Sequence, residues 1–472
     1  MKPTKISLVL LFLLAFASTS FAQEIDLNIE TTEGSTPTKK KTRFTKERMQ
    51  AIRDSLNEVF KIRFAKEKVT SREYAVKRWE KLKANTRKDT IKALDLSWLV
   101  ADKLPPEVLE FRNIKTLDIS RSTITKLPKG LAKVESLETL IWTRNEIEVA
   151  EGEERKIARK MKAPRLKQVR KLYMSGSRLT EVPKFVRKFR NLTHLVLSGN
   201  EIATPKNRLR KMGNLNLLNL DENPLDLTAF NFKHIPDGLE LLKFNKCDLT
   251  SVPKEIYQLK VKDLQLRENQ ITKLPDGIGA MTNLRKLSLY KNKLNALPSD
   301  FYELSKLESL DLYHNQLKYV APEIQSFDSL QILYLAHNKL LSVPEEIGEM
   351  VQLRELYLHH NQLSGVPESF KKLENLQVFR INDNNLPEFP SAILTMNQLE
   401  FLDVSDNLLE TIPEGLGSLS SLQQFDFDKN QIELQAVSNR HIAPMISDMI
   451  KSGVVCIPSI REVEEEVDNE DE

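Results

Sequence analysis

LRKLSLYKNKLNALPSDFYELSK, residues 284–306, runs directly into LESLDLYHNQLKYVAPEIQSFDS (307–329), LQILYLAHNKLLSVPEEIGEMVQ (330–352) and LRELYLHHNQLSGVPESFKKLEN (353–375). The four segments repeat one 23-residue pattern. Its first, fourth and sixth places are apolar, as at Leu284, Leu287 and Leu289. Places four and six alternate with polar neighbours, which spells a short, half-buried strand. The ninth place is asparagine: Asn292, Asn315, Asn338 and Asn361. An amide facing an apolar interior must find partners, and the backbone groups where the strand turns can supply them. A Leu-Pro or Val-Pro pair such as Val343-Pro344 follows. The proline sets an extended return path and blocks a further strand.

Outward from this core, units begin at Ile91, Ile114, Leu137, Val169, Leu192, Leu215, Leu239, Val261, Leu284, Leu307, Leu330, Leu353, Leu376, Leu399 and Leu422, fifteen in all with the last incomplete. The ninth place is also asparagine at Asn145, Asn200, Asn223, Asn269, Asn384, Asn407 and Asn430, and is Leu99, Ser122, Ser177 or Cys247 in the rest. Cys247 therefore reads as a small buried member of the amide ladder. A single unit can bury its apolar edge only against the next, so the units must stack, with their strands in one parallel sheet.

The pattern resembles the leucine-rich-repeat family, in the 23-residue Leu-Pro class seen in Ras-suppressor-type proteins, membrane-associated scaffolds and many bacterial surface proteins. The resemblance covers residues 91–433. It implies an α/β solenoid, a horseshoe with a concave parallel β-sheet and helical caps at its ends. It also implies a protein or peptide ligand, without saying which.

The flanks carry further segments. Lys2 and Lys5, the apolar run Ile6 to Ala17 and Ser20-Phe21-Ala22 form a signal peptide over 1–22, so the chain is expected to be exported: periplasmic, cell-surface or secreted. No later apolar stretch is long enough to span a bilayer. Residues 23–44 are polar and expected to be disordered. Residues 45–90 form a helical cap: Met49, Ile52, Leu56 and Val59 mark one helix, and Thr70 with Glu73 opens a second that carries Val76, Trp79 and Leu82. An insertion around 148–168 lengthens the third unit by nine residues. Its helix, Glu151 to Lys162 closed by Pro164, is expected to protrude. Residues 434–460 form the second cap, with Ile442, Met445, Ile446 and Met449 on a helix, Gly453 past its end, and Val454 to Ile457, including Cys456, as a last strand. Residues 461–472 are an acidic tail.

Net charge is only +4 but polarised. Residues 39–89 hold 18 Lys or Arg against 7 acids, residues 151–211 hold 18 against 5, and the tail holds eight acids and one base. Such a basic half suits an anionic envelope lipid or glycan, or an acidic protein. Export and the lack of a nucleic-acid motif argue against nucleic acid.

No Gly-rich phosphate loop, nucleophile elbow, HExxH or paired cysteine motif is present, so no enzyme activity, cofactor or metal is expected. The informative surface is the concave face, where places three, five, seven and eight point outward. Tyr290 stands beside Tyr313 at place seven and Tyr334 beside Tyr357 at place five; His314, His337 and His360 follow one another at place eight, next to His359. Four of the seven histidines thus share three units. A contact patch for the partner, residues copied by repeat duplication, and a metal site are all open readings at this point. Unperturbed imidazoles there titrate near pH 6.5 and repel one another when charged. A second reading of the whole chain is a structural or adhesive envelope component held through its basic N-terminal half.

Overall fold

Places three to five of each unit form a three-residue strand whose middle residue points inward, and each strand bonds only to its sequence neighbours. The computed structural model describes residues 67–205, 209–210 and 212–458. Sixteen strands make one parallel sheet in strict chain order, from β1 (Ala93–Asp95) through β9 (Lys286–Ser288), β10 (Ser309–Asp311), β11 (Ile332–Tyr334) and β12 (Glu355–Tyr357) to β15 (Gln424–Asp426) and β16 (Val455–Ile457). Equivalent places stand side by side, so Leu287, Leu310, Leu333 and Leu356 form one inward row. These residues are essentially inaccessible to solvent.

Most of the described units return through a 3₁₀ turn on the opposite side. Pro253, Pro298, Pro344, Pro367, Pro390 and Pro413 are the N-cap residues of these turns, with φ between −57° and −75°. Proline holds that angle intrinsically, which is why the Leu-Pro pair recurs where a strand must not continue.

The asparagine ladder has the partners its chemistry requires. In unit ten, Asn315 Nδ2 donates to Leu312 O in its own unit and to Leu289 O in the unit before, both at 3.0 Å. Its Oδ1 accepts the Leu294 N–H at 3.0 Å. Asn223, Asn292, Asn338, Asn384 and Asn407 repeat the arrangement. Ser122 and Cys247 serve the same carbonyl groups through Oγ and Sγ. Leu99 lies in the first unit, where no preceding unit offers groups to satisfy, so an apolar residue suffices.

Residues 67–83 are helical, here α1. The chain divides into two compact units, Met1–Glu73 and Tyr74–Glu472, and the second holds the whole sheet. Thr70 lies inside the helix rather than at its start, and Val76, 51% exposed, is not on its buried stripe. Ala75, Trp79 and Leu82 form that stripe at spacings of four and three, and a residue one step from Ala75 is turned about 100° away. The Trp79 ring lies 6.2 Å from that of Phe111, and Arg78 donates to Asp95 at 2.6 Å and to Ser97 O at 2.8 Å. The stripe Met49, Ile52, Leu56 and Val59, the signal peptide and the acidic tail lie outside the described residues.

The insertion does not protrude. Its helix α2 is shorter than expected, Arg155–Lys160, and Ile157, Ala158 and Met161 are buried. Lys162 then pairs with Lys126, donating to Thr125 O and accepting from Leu127 N–H. The apolar side of the insertion pulls it onto the solenoid. At the far end, α3 (Ile442–Lys451) buries Ile442, Ile446 and Met449, and β16 adds buried Cys456. Among the described residues no helix is long and apolar enough to cross a membrane.

Candidate functional site

The strand register places all eight sequence-identified residues on one surface. Tyr334 and Tyr357 extend outward from adjacent strands with rings stacked at 4.5 Å. Tyr290 stacks on Tyr313 at 5.5 Å. His337 lies between His314 and His360 at 4.0 Å and 3.8 Å. Tyr313 joins the sets, with ring centroids 4.6 Å from His314, 4.9 Å from His337 and 5.6 Å from His359. The last contact depends on Ala336, which fills place seven between them and is small enough for the two rings to meet over it. All eight side chains are half-buried.

Place eight adopts a left-handed backbone in every unit, with φ of 55° at His314, 51° at His337 and 52° at His360. Histidine is among the side chains enriched in that region, and Gly176 and Gly199 occupy the same place in units four and five. The place-eight column is thus partly a backbone requirement. Tyr313, Tyr334, Tyr357 and His359 occupy ordinary extended positions that carry no such requirement.

Electrostatics correct the expectation of titration near pH 6.5. Burial, then the neighbouring imidazoles, push His337 down to about 4. Burial and His360 push His359 to about 3, and burial followed by Lys291 lowers His314. His359 Nδ1 is buried without a hydrogen-bond partner. His360 Nδ1 pairs with Asp383. The shifted imidazoles are therefore neutral at pH 7. Because their folded pKa values lie below the unfolded value of about 6.5, the unfolded chain binds more protons in between. Their stabilisation is complete above pH 6.5 and falls as pH drops towards 4. The expected outcome is a wild-type melting temperature that declines more steeply from pH 7 to pH 4 than that of His359→Gln. Parallel profiles would contradict the neutral, buried state of this ring.

The sequence reading missed the polar frame of the patch. Arg267 Nε donates to Ser288 Oγ at 2.7 Å, and Ser288 Oγ donates to Asp311 Oδ2 at 2.6 Å. Tyr357 donates to Glu355 at 2.9 Å, and exposed Arg380 sits beside Tyr357 in register. These residues occupy the same outward places, so reading whole columns would have found them. No grouping of three His, Cys, Asp or Glu among the described residues is arranged to hold a metal ion. Face-to-face imidazoles direct their ring nitrogens sideways in parallel planes, not towards a common point. Clefts of about 400 Å³ against Arg354 and Asn375, and about 410 Å³ against Tyr257 and Gly277, lie off the patch.

An open parallel solenoid with an outward-facing strand surface is the build of a protein-interaction scaffold. Residues 309–439 match the family model described as a leucine-rich repeat region, and residues 260–317 match a leucine rich repeat model. Residues 260–439 are thus a leucine-rich-repeat region. A leucine-rich-repeat protein of Leptospira interrogans is similar over 76% of this chain and 95% of its own, at 25% identity and a TM-score of 0.61. An internalin of Listeria monocytogenes aligns with 74% of this chain and 89% of its own (19% identity, TM-score 0.53). The Drosophila Toll–Spätzle complex matches over 71% of this chain and 47% of that one (20% identity, TM-score 0.57). No curated protein sequence matches the chain.

Proposed function

We propose that the chain is an exported recognition protein that holds a protein or peptide partner on its concave face across units nine to twelve. One observation carries the reading: Tyr313 packs against Tyr290, His314, His337 and His359, so that four repeats share one aromatic surface. Rings already fixed against one another lose little freedom when a ligand covers them, and their polar tips stay available. Duplication accounts for a repeated residue type. It does not account for Ala336, which departs from the tyrosine and histidine at its place in neighbouring units and lets their rings meet. Export rests on the basic, apolar and small-residue succession over residues 1–22. The leucine-rich-repeat architecture, typical of protein-binding scaffolds, supports a macromolecular partner and no catalytic role. The test is a pull-down from envelope and medium fractions with wild type and Tyr334→Ala in parallel. A partner enriched by wild type and depleted with the variant is expected; equal capture by both would sink the reading.

The runner-up, an envelope component held through its basic half, is favoured by exposed Lys184, Arg187 and Arg190 on and around the unit-four return turn. It would release the chain from a membrane fraction as salt rises.

A further inference from the structure

A second stretch of the concave face carries residues that the repeat pattern does not ask for. Outward places three and five of units three to seven hold Ile141, Tyr173, Val196, Leu217 and Leu241. The register sets Tyr173 between Ile141 and Val196, and Leu217 beside Leu241. All five are half-exposed. A sheet face in water ordinarily takes polar side chains, and outside the Tyr334–Tyr357 patch place five elsewhere is polar, as at Asp95, Asp118, Gln265, Asp403 and Asp426. Beside the apolar row, Ser175, Gly176, Ser198 and Gly199 bring the surface down almost to backbone level. Exposed Arg144 and Lys171 stand over the row, and half-exposed Lys243 closes its far end. The acids that face it are Asp118 beside Ile141, Asp263 beside Leu241, and Asp221 and Glu222 on unit six. The surface therefore fits a segment that mixes aliphatic and acidic side chains.

The chain itself contains such a segment. Residues 459–472, SIREVEEEVDNEDE, place Ile460, Val463 and Val467 among eight acids. We infer that the acidic C-terminal segment of a second copy docks on the apolar row of units three to seven. A second copy is required by reach. Val467 lies ten residues beyond Ile457, so an extended chain carries it at most roughly 35 Å. The path along the sheet from β16 to β5 (His194–Val196) is eleven strand steps, roughly 53 Å. Tail of one copy to N-terminal half of the next is a heterologous contact, which extends into chains of molecules unless rotation closes it. The inference uses a different patch from the one over units nine to twelve and stands without it.

The probe is a fluorescein-labelled peptide of residues 459–472, titrated with the full chain and read by anisotropy. Light scattering of the full chain over a concentration series accompanies it. Saturable binding that weakens as salt rises is expected, together with scattering mass that grows with concentration. Lys171→Glu reverses an exposed charge without touching the core, and Val196→Asp sets a carboxylate into the row. Each is expected to weaken peptide binding about tenfold, because like charges then meet across the contact. Tyr334→Ala should leave it unchanged. A peptide with Ile460, Val463 and Val467 replaced by serine should bind no better than background. Any of three results would overturn the inference: no binding, binding undiminished by Lys171→Glu and Val196→Asp, or a full chain that stays monomeric at every concentration.

Discussion

Replacing Asn315 with alanine is expected to destabilise the chain by about 3 kcal/mol, against a change within about 0.5 kcal/mol for Gln316→Ala on the neighbouring exposed place. The asymmetry follows from what each side chain does. The Asn315 amide binds Leu312 O and Leu289 O as donor and the Leu294 N–H as acceptor, inside an apolar stack where water does not substitute. Alanine leaves those groups without that partner, and each buried orphan costs roughly 1–3 kcal/mol. The effect should also spread along the solenoid. Two of the three bonds tie unit nine to unit ten, and a stack of repeats holds together through nearest-neighbour interfaces. The loss should therefore appear in urea melts as a lower midpoint and a broader transition. A melt identical to wild type would mean that the amide is solvated and the ladder idle.

The second large effect concerns recognition. Tyr313→Ala is expected to weaken binding of the partner about thirtyfold, or about 2 kcal/mol, the loss usual for a central aromatic anchor. Tyr313 is chosen because it contacts Tyr290, His314, His337 and His359 at once. Its removal takes away one ring and loosens four. Tyr290→Ala removes a ring at the margin of the patch and should cost only a few-fold. Tyr313 is half-exposed, so the variant should keep the wild-type melt. Titration calorimetry on the partner enriched by the pull-down measures both. Equal losses for the two variants would mean that the patch has no centre, and no loss for either would place the contact elsewhere.

The architecture was legible because it is written fifteen times. The 23-residue spacing, the inward leucines and the asparagine at place nine specify strand, register and ladder together. Even the exceptions made sense locally, since Cys247 and Ser122 bind the same carbonyl groups as an amide would. The eight aromatic and imidazole residues were equally legible, because alternation along a strand and fixed spacing between strands suffice to put them on one surface. What failed depended on packing between segments that no period governs. Val76 fits a helical stripe on paper, but the helix turns Ala75, Trp79 and Leu82 inward instead. The insertion has the charge of an exposed loop, yet Ile157 and Met161 draw it into the core. The imidazole titration was misread for a related reason. Sequence shows three rings in a column but not the burial that takes His337 to about 4. The apolar row at Ile141, Tyr173 and Val196 escaped notice because its residues look like ordinary strand formers, although the same alternation along the strand turns place five outward.

The most direct test of concave-face recognition is to place a photo-crosslinking phenylalanine analogue at Tyr334, and in a separate protein at Lys184 on the outer turn, and to irradiate each with the partner present. Both sites are accessible, and an aromatic analogue preserves the character of the patch. Covalent capture of the partner from position 334, blocked by excess unlabelled wild-type chain, with none from position 184, is the expected result. Capture from position 184 alone would contradict the account and move the recognition surface to the basic outer face.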